Sequence, residues 1–337
     1  MTLPKKIRIL LTLIAFSLAV AAGCSREGGK NAPAQSERIT VAISPWPASS
    51  PIYIARDKGF FGGEGLAVTL QPVVSGHLAL DAVLSGKADV GTASDTPIAR
   101  AAVDGRPLAV LATISEIERG ILIIARKDKG ISVPGDLRGK RIGCAVGSSA
   151  EFFLHVFLTT SLINPRDVRV VDLPPDKGVA ALLSGELDAV ATWAPHTILL
   201  REKLGDGAVI FHDPSIYTQT WNIAVKQESV KSHPERMKKF LRALAGADEF
   251  IARRPAEARA ICSKNIGTEG PLFEKEWQDY HFALKLEQSL ILNLEDQARW
   301  MIKREAGQSR RPPNFLEFIH TDALKAVRAE AVTIVGR

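Results

Sequence analysis

The stretch Ala82-Val-Leu-Ser-Gly-Lys-Ala-Asp89 returns ninety-nine residues later as Ala181-Leu-Leu-Ser-Gly-Glu-Leu-Asp188. Each copy reads as an apolar helix stopped at Ser-Gly, then an aspartate, a short apolar strand and a turn leading to a proline-opened helix. That is one layer unit of an α/β sheet. Its recurrence predicts two similar lobes in one chain, the alternative being a chance likeness between two αβ turns.

The rest of the chain alternates in the same way. Apolar strands are expected at 39–43, 66–74, 89–92 and 108–114, with helices opened by Pro51, by Ser75-Gly76 and by Thr96-Pro97 between them. After Pro134-Gly-Asp-Leu-Arg-Gly-Lys140 the pattern restarts with strands at 141–146, 168–172 and 189–192. Such alternation calls for an α/β fold with mainly parallel sheets covered by helices. Two apolar stretches of matched character, 121–125 and 221–225, read as the pair of segments crossing between lobes. Lobe one is then 38–122 plus 225–337, and lobe two is 123–224. Beyond Pro234 the chain turns mainly helical, and Met237, Phe240, Leu241, Leu244 and Ile251 at helical spacing should bury one face against lobe one.

The first 23 residues carry Lys5, Lys6 and Arg8, then an uncharged apolar run from Ile9 to Ala22 that is short for a membrane span. These are the marks of a secretory leader, so the protein is expected to be exported. The end Ala21-Ala-Gly-Cys24 is similar to a bacterial lipobox, with alanine where leucine is usual. It points to lipidation of Cys24 and anchoring as a periplasmic or cell-surface lipoprotein, against ordinary cleavage nearby. Residues 24–37 read as a flexible polar tether.

Of the three cysteines, Cys144 and Cys262 remain, and two buried free thiols are expected of them. The formal charge of +6 includes the three leader cations, and the remaining Lys and Arg are interspersed with Asp and Glu. Without an aromatic-studded basic stripe this is solvated surface, not a nucleic-acid partner. No His or Cys spacing suits a metal, and no cofactor is expected.

In open α/β sheets, ligands sit beyond the carboxyl ends of the strands. Five short polar loops occupy such places: Trp46 to Ser50, Ser75-Gly76, Thr92 to Thr96, Gly147 to Ser149, and Thr192 to Pro195. Each opens a helix whose first N–H groups lack intrahelical partners, and several converging ends would hold a polar or anionic head group. Any one of these turns is equally an ordinary cap; Ser148 with Glu151 has the capping-box pattern, and Pro97 and Pro195 sit in first-turn positions. The functional reading rests on the set. Trp46 and Trp193 stand in these loops and offer flat faces for gripping a small solute, or else are core aromatics. Asp95 either faces the cleft or caps its helix. Glu116 and Asn222 are weaker candidates.

Several longer stretches then become informative together: Ile52-Tyr-Ile-Ala-Arg-Asp-Lys-Gly-Phe-Phe61, Gly-Leu-Ala-Val68, Leu84 to Asp89, Asp136-Leu-Arg-Gly-Lys140 with Gly147-Ser148, and Asp188 through Trp193-Ala-Pro195. Over residues 38–325 the chain resembles the solute-binding proteins of nitrate/sulfonate/taurine and thiamine-precursor ABC importers. The resemblance implies a type II periplasmic-binding-protein fold, two α/β lobes closing on a small-molecule solute and presenting it to a permease and ATPase complex, with the protein itself a monomer. By position it implies solute contacts at Trp46, Ser49, Ser50, Ser75, Gly76, Thr92, Ser94, Asp95, Thr96, Gly147, Ser148, Ser149 and Trp193. Ser94-Asp95-Thr96-Pro97 lacks the glycine that sulfonate binders carry there and spaces the proline one further on, and Trp46, Trp193 and Asp95 would equally suit a pyrimidine-like aromatic amine. An enzyme of the same fold is the rival class. The scattered His and Cys, and the absence of a Gly-x-Ser-x-Gly elbow or paired carboxylates, speak against it. A sensor lobe feeding a membrane kinase is a third class.

Overall fold

A computed structural model describes residues 36–305 and 311–335 of the chain. The expected leader, Cys24 and nearly all of the tether lie outside the described residues. Two sheets organise the rest. The first joins β1 (Glu37–Ile43), β2 (Leu66–Pro72), β3 (Val90–Ser94), β4 (Leu108–Ile117), β10 (Gln219–Lys226) and β11 (Tyr280–Lys285) in the order β11-β4-β10-β3-β1-β2. The second joins β5 (Ile121–Arg126), β6 (Arg141–Cys144), β7 (Arg169–Asp172), β8 (Ala189–Trp193) and β9 (Ala208–Phe211) in the order β7-β6-β8-β5-β9. Taken from β2 and from β7 they follow one plan, β2-β1-β3-β10-β4 against β7-β6-β8-β5-β9, with β11 added at the far edge of the first. The chain is therefore two α/β lobes of the same design.

Strands β2, β1, β3 and β4 run one way in the first sheet, as do β7, β6, β8 and β9 in the second. Strands β10, β11 and β5 run against them. The stretches 121–125 and 221–225 are not the crossings expected of them, since β5 lies wholly in the second sheet and β10 wholly in the first. A run such as Ile121-Leu-Ile-Ile-Ala125 is buried along its whole length, which needs sheet neighbours on both sides. The chain passes between sheets in the stretches 118–120 and 212–218 instead.

The helices that bear on the site are α1 (Ser50–Asp57), α2 (Gly76–Leu84), α3 (Asp95–Val103), α4 (Ser149–Thr160), α5 (Pro175–Ser184), α6 (His196–Leu204), α7 (Pro234–Arg253), α8 (Pro255–Ile266), α9 (Pro271–Trp277) and α10 (Gln288–Arg304). Met237, Phe240, Leu241, Leu244 and Ile251 of α7 are all buried in the first-lobe core, as their spacing predicts. Cys262 belongs to that core and Cys144 to the second lobe's; both are free thiols.

The repeated motif has one structural job in both lobes. Helices α2 and α5 end where Gly86 and Gly185 take a left-handed conformation, each with φ near 80°, which a side chain would oppose. Three residues on, Asp89 donates its N–H to the Thr40 carbonyl at 2.9 Å and accepts the Thr40 N–H on its carboxylate at 2.8 Å. Asp188 does the same with Arg141, at 3.0 and 2.8 Å. Each aspartate thus clamps the start of the neighbouring parallel strand, β1 or β6.

Removing the clamp by D89A should leave the half-buried Thr40 N–H short of an acceptor and cost about 1–3 kcal/mol of unfolding free energy. D188A should cost less, because the Arg141 N–H is open to water. Urea titration checks the order; equal losses would contradict the account.

Candidate functional site

The loops leaving the carboxyl ends of the strands meet at the border between the lobes. Ser94, the last residue of β3, and Ser149, the first of α4, are both buried, with their hydroxyl oxygens 3.2 Å apart. Beside them the Trp221 indole N–H donates to the Ser49 hydroxyl at 2.9 Å, and Ser49 in turn donates to the Ser44 carbonyl. Gly76 opens α2 against this ring: a Cβ there would lie 3.0 Å from Trp221 and 3.1 Å from the Ala93 backbone, so only glycine fits without displacement. Trp46 packs edge-on to Trp221, centroids 4.9 Å apart, and edge-on to Tyr280 at 6.0 Å.

Trp46, Ser49, Gly76, Ser94 and Ser149 thus come together, and the residue that gathers the first-lobe members is Trp221. Sequence reading passed over Trp221 as part of an apolar strand. The one available signal was a buried indole N–H, which needs an acceptor. Thr92, fully buried in β3, has a hydroxyl with no hydrogen-bond partner among the described residues.

Other candidates serve locally. Ser50 donates to the Pro47 carbonyl and lies against the Cys262 thiol inside the first lobe. Ser75 caps α2 by accepting the Leu78 N–H at 3.3 Å. Thr96 donates to Gln297 of α10. The expected capping box at Ser148 is not formed: Ser148 donates back to the Ala145 carbonyl, and Glu151 accepts the N–H of Gly147. Pro195 follows a cis peptide bond and precedes α6, which begins at His196. Trp193 is half-buried at the end of β8 and packs against the cores of both lobes. Asn222 bonds within the first sheet to Thr113, Thr220 and Ala93, and Glu116 pairs with Lys285.

Asp95 is fully buried and already surrounded by donors. Its carboxylate accepts from the Tyr217 hydroxyl at 2.7 Å, Asn293 at 2.6 Å, and the N–H groups of Thr96 at 2.9 Å and Thr220 at 3.5 Å. It therefore ties the crossing segment 212–218 to α3 and α10. Burial pushes its pKa up to about 6, although all four hydrogen bonds pull it down. A second carboxylate lies further along the border. Glu276 of α9 is pushed up to about 7 by burial, opposed by Arg201 of α6 at 3.3 Å. The space between Ile117, Ala194, Thr197, Glu276 and Tyr280 is about 10 Å³, the lower limit for one water. The lobes are closed on each other here.

Two α/β lobes of one plan, with the loops beyond their strands converging on the border, make a periplasmic-binding-protein fold. The family described as NMT1/THI5 like matches residues 46–258, and the chain belongs to it. It is 27% identical over 228 residues to the taurine-binding periplasmic protein of Escherichia coli (strain K12), covering 66% of this chain and 69% of that protein. It is 26% identical over 245 residues to the putative aliphatic sulfonates-binding protein of Bacillus subtilis (strain 168), covering 71% of each. The crystal structure of the periplasmic aliphatic sulphonate binding protein SsuA from Escherichia coli shares the fold with a TM-score of 0.73 at 17% identity, covering 84% of this chain and 97% of that one.

The raised Asp95 pKa fixes the sign of a pH effect. The protonated carboxyl favours the folded state, so its contribution is complete below about pH 4 and is lost as pH rises through about 6. Asp95→Asn removes this titration. Relative to wild type it should gain up to about 3 kcal/mol between pH 4 and 7, read from urea titrations at each pH. A difference between the two proteins that does not change with pH would refute the assignment.

Proposed function

We propose that the protein is an exported substrate-binding lipoprotein of an ABC importer, anchored through Cys24. On this reading it captures a small sulfonate-, taurine- or nitrate-like solute between its lobes and delivers it to a membrane permease. The lobes divide near the expected 38–122 plus 225–337 and 123–224, it acts as a monomer, and it catalyses nothing. The observation that carries this reading is the convergence of Ser49, Gly76, Ser94 and Ser149 from both lobes on one buried border beside Trp46 and Trp221. The names of the taurine and sulfonate relatives agree with it.

The Ser94, Ser149 and Thr92 hydroxyls, the Trp46 indole N–H and the helix ends are donors suited to the oxygens of a small anion. A pyrimidine-like amine would instead need a free acceptor, and Asp95 is occupied by four protein donors. That favours the sulfonate-like solute over the amine.

Thermal-shift screening against taurine, alkanesulfonates, nitrate, bicarbonate and aminopyrimidines tests both. A true solute at a hundred times its dissociation constant should add about 2.7 kcal/mol of stability. S94A and S149A should each reduce the shift for the same solute. No response to any sulfonate, taurine or nitrate, or a full response in both variants, would count against the reading.

A further inference from the structure

Among the described residues, two ion pairs join the lobes, and they run in opposite senses. Arg304, at the end of α10 in the first lobe, meets Glu151 in the first turn of α4 in the second at 2.5 Å. Arg201, on α6 in the second lobe, meets Glu276 on α9 in the first at 3.3 Å. In both pairs the carboxylate is buried and the arginine keeps more of its surface in water. Such a carboxylate cannot lose its arginine and stay buried without penalty. Each pair therefore favours the arrangement in which the lobes touch.

The surroundings strengthen the first pair. Glu151 also accepts the Gly147 N–H at 2.7 Å, so the loop 147–149 is held by the same carboxylate that Arg304 holds. Trp300, one turn before Arg304, packs edge-on to Phe152 of α4 with centroids 5.4 Å apart, and the Arg304 guanidinium lies over the Trp300 ring at 5.7 Å. Glu276 accepts from the Thr197 hydroxyl as well, again across the border.

We propose that Arg201 and Arg304 are positioning residues for solute capture: acting through Glu276 and Glu151, they set the fraction of unliganded protein that stands closed. This rests on the solute-binding reading above. A ligand must then work against, or with, a closing equilibrium that the protein carries by itself.

Hydrogen exchange read by mass spectrometry on the intact protein tests this. The segment 146–153 should exchange about fivefold faster in R304Q, as loss of a partly exposed ion pair implies. It should also speed up in R201Q, although Arg201 touches α9 and not α4, because opening is one motion. R304K should stay near wild type. The proposal is overturned if R201Q leaves 146–153 protected, or if either variant loses protection in β1 and β3 as well, which would mark a folding defect. Saturating taurine should restore protection in both variants. If taurine, alkanesulfonates and nitrate in turn change nothing in any of the proteins, the solute reading fails while the comparison of R201Q with R304Q still decides the role of the arginines.

Discussion

Each sheet is completed by a strand that arrives from the other side of a crossing. Strand β10 enters between β3 and β4 only after the chain has threaded the second lobe, and β5 sits between β8 and β9 directly after leaving the first. The second sheet needs only the first crossing, whereas the first is not whole until both have been made. Two short stretches, 118–120 and 212–218, carry the chain between the sheets. The same insertion fixes where the site lies. Pairing β10 antiparallel to β3 sets Trp221 opposite Ser94, so the ring that organises the candidate site is delivered by the crossing itself.

Polar groups at this border divide into two kinds. Asp95, Tyr217, Asn293, Gln297 and Thr96 form a buried chain of hydrogen bonds linking the return crossing to α3 and α10. A network satisfied in this way specifies one arrangement of the elements it joins, because any slippage would strand a buried carboxylate. The hydroxyls of Ser94 and Ser149 are different: they meet each other across the border at 3.2 Å. On the solute-binding reading, the first kind holds the return crossing in place and the second supplies donors to a solute.

How much of this the sequence revealed follows from the range of the forces involved. The two-lobe plan was legible because helix ends and strand starts impose local demands, and Gly86, Gly185, Asp89 and Asp188 answer them in both halves. The core face of α7 was legible from its period alone. Which sheet an apolar strand joins was not, since 121–125 and 221–225 look alike whether they cross or pair. Strand β11 was missed because Tyr280 to Lys285 lies among helices and borders a single neighbour, β4. Asp95 was expected to face the cleft or cap its helix, whereas it is buried on Tyr217 and Asn293, partners more than a hundred residues away that no local pattern announces. Glu151 gave a capping signal whose actual partners are Gly147 and, across the border, Arg304.

The two lobes share a plan but bring unequal chemistry to the border. The first contributes hydroxyls, a glycine and two tryptophans. The second contributes Trp193, the Ser149 hydroxyl and the start of α4, where the helix dipole is positive and Glu151 stands in the first turn. A carboxylate there would offset the attraction of the helix end for an anion. Arg304 cancels that charge from the first lobe, and only when the lobes meet. On the solute-binding reading, closure then does more than bury the solute: it brings in the cation that frees the end of α4 to attract an anion beside Ser149. Affinity for an anionic solute and the closed arrangement would then be one property.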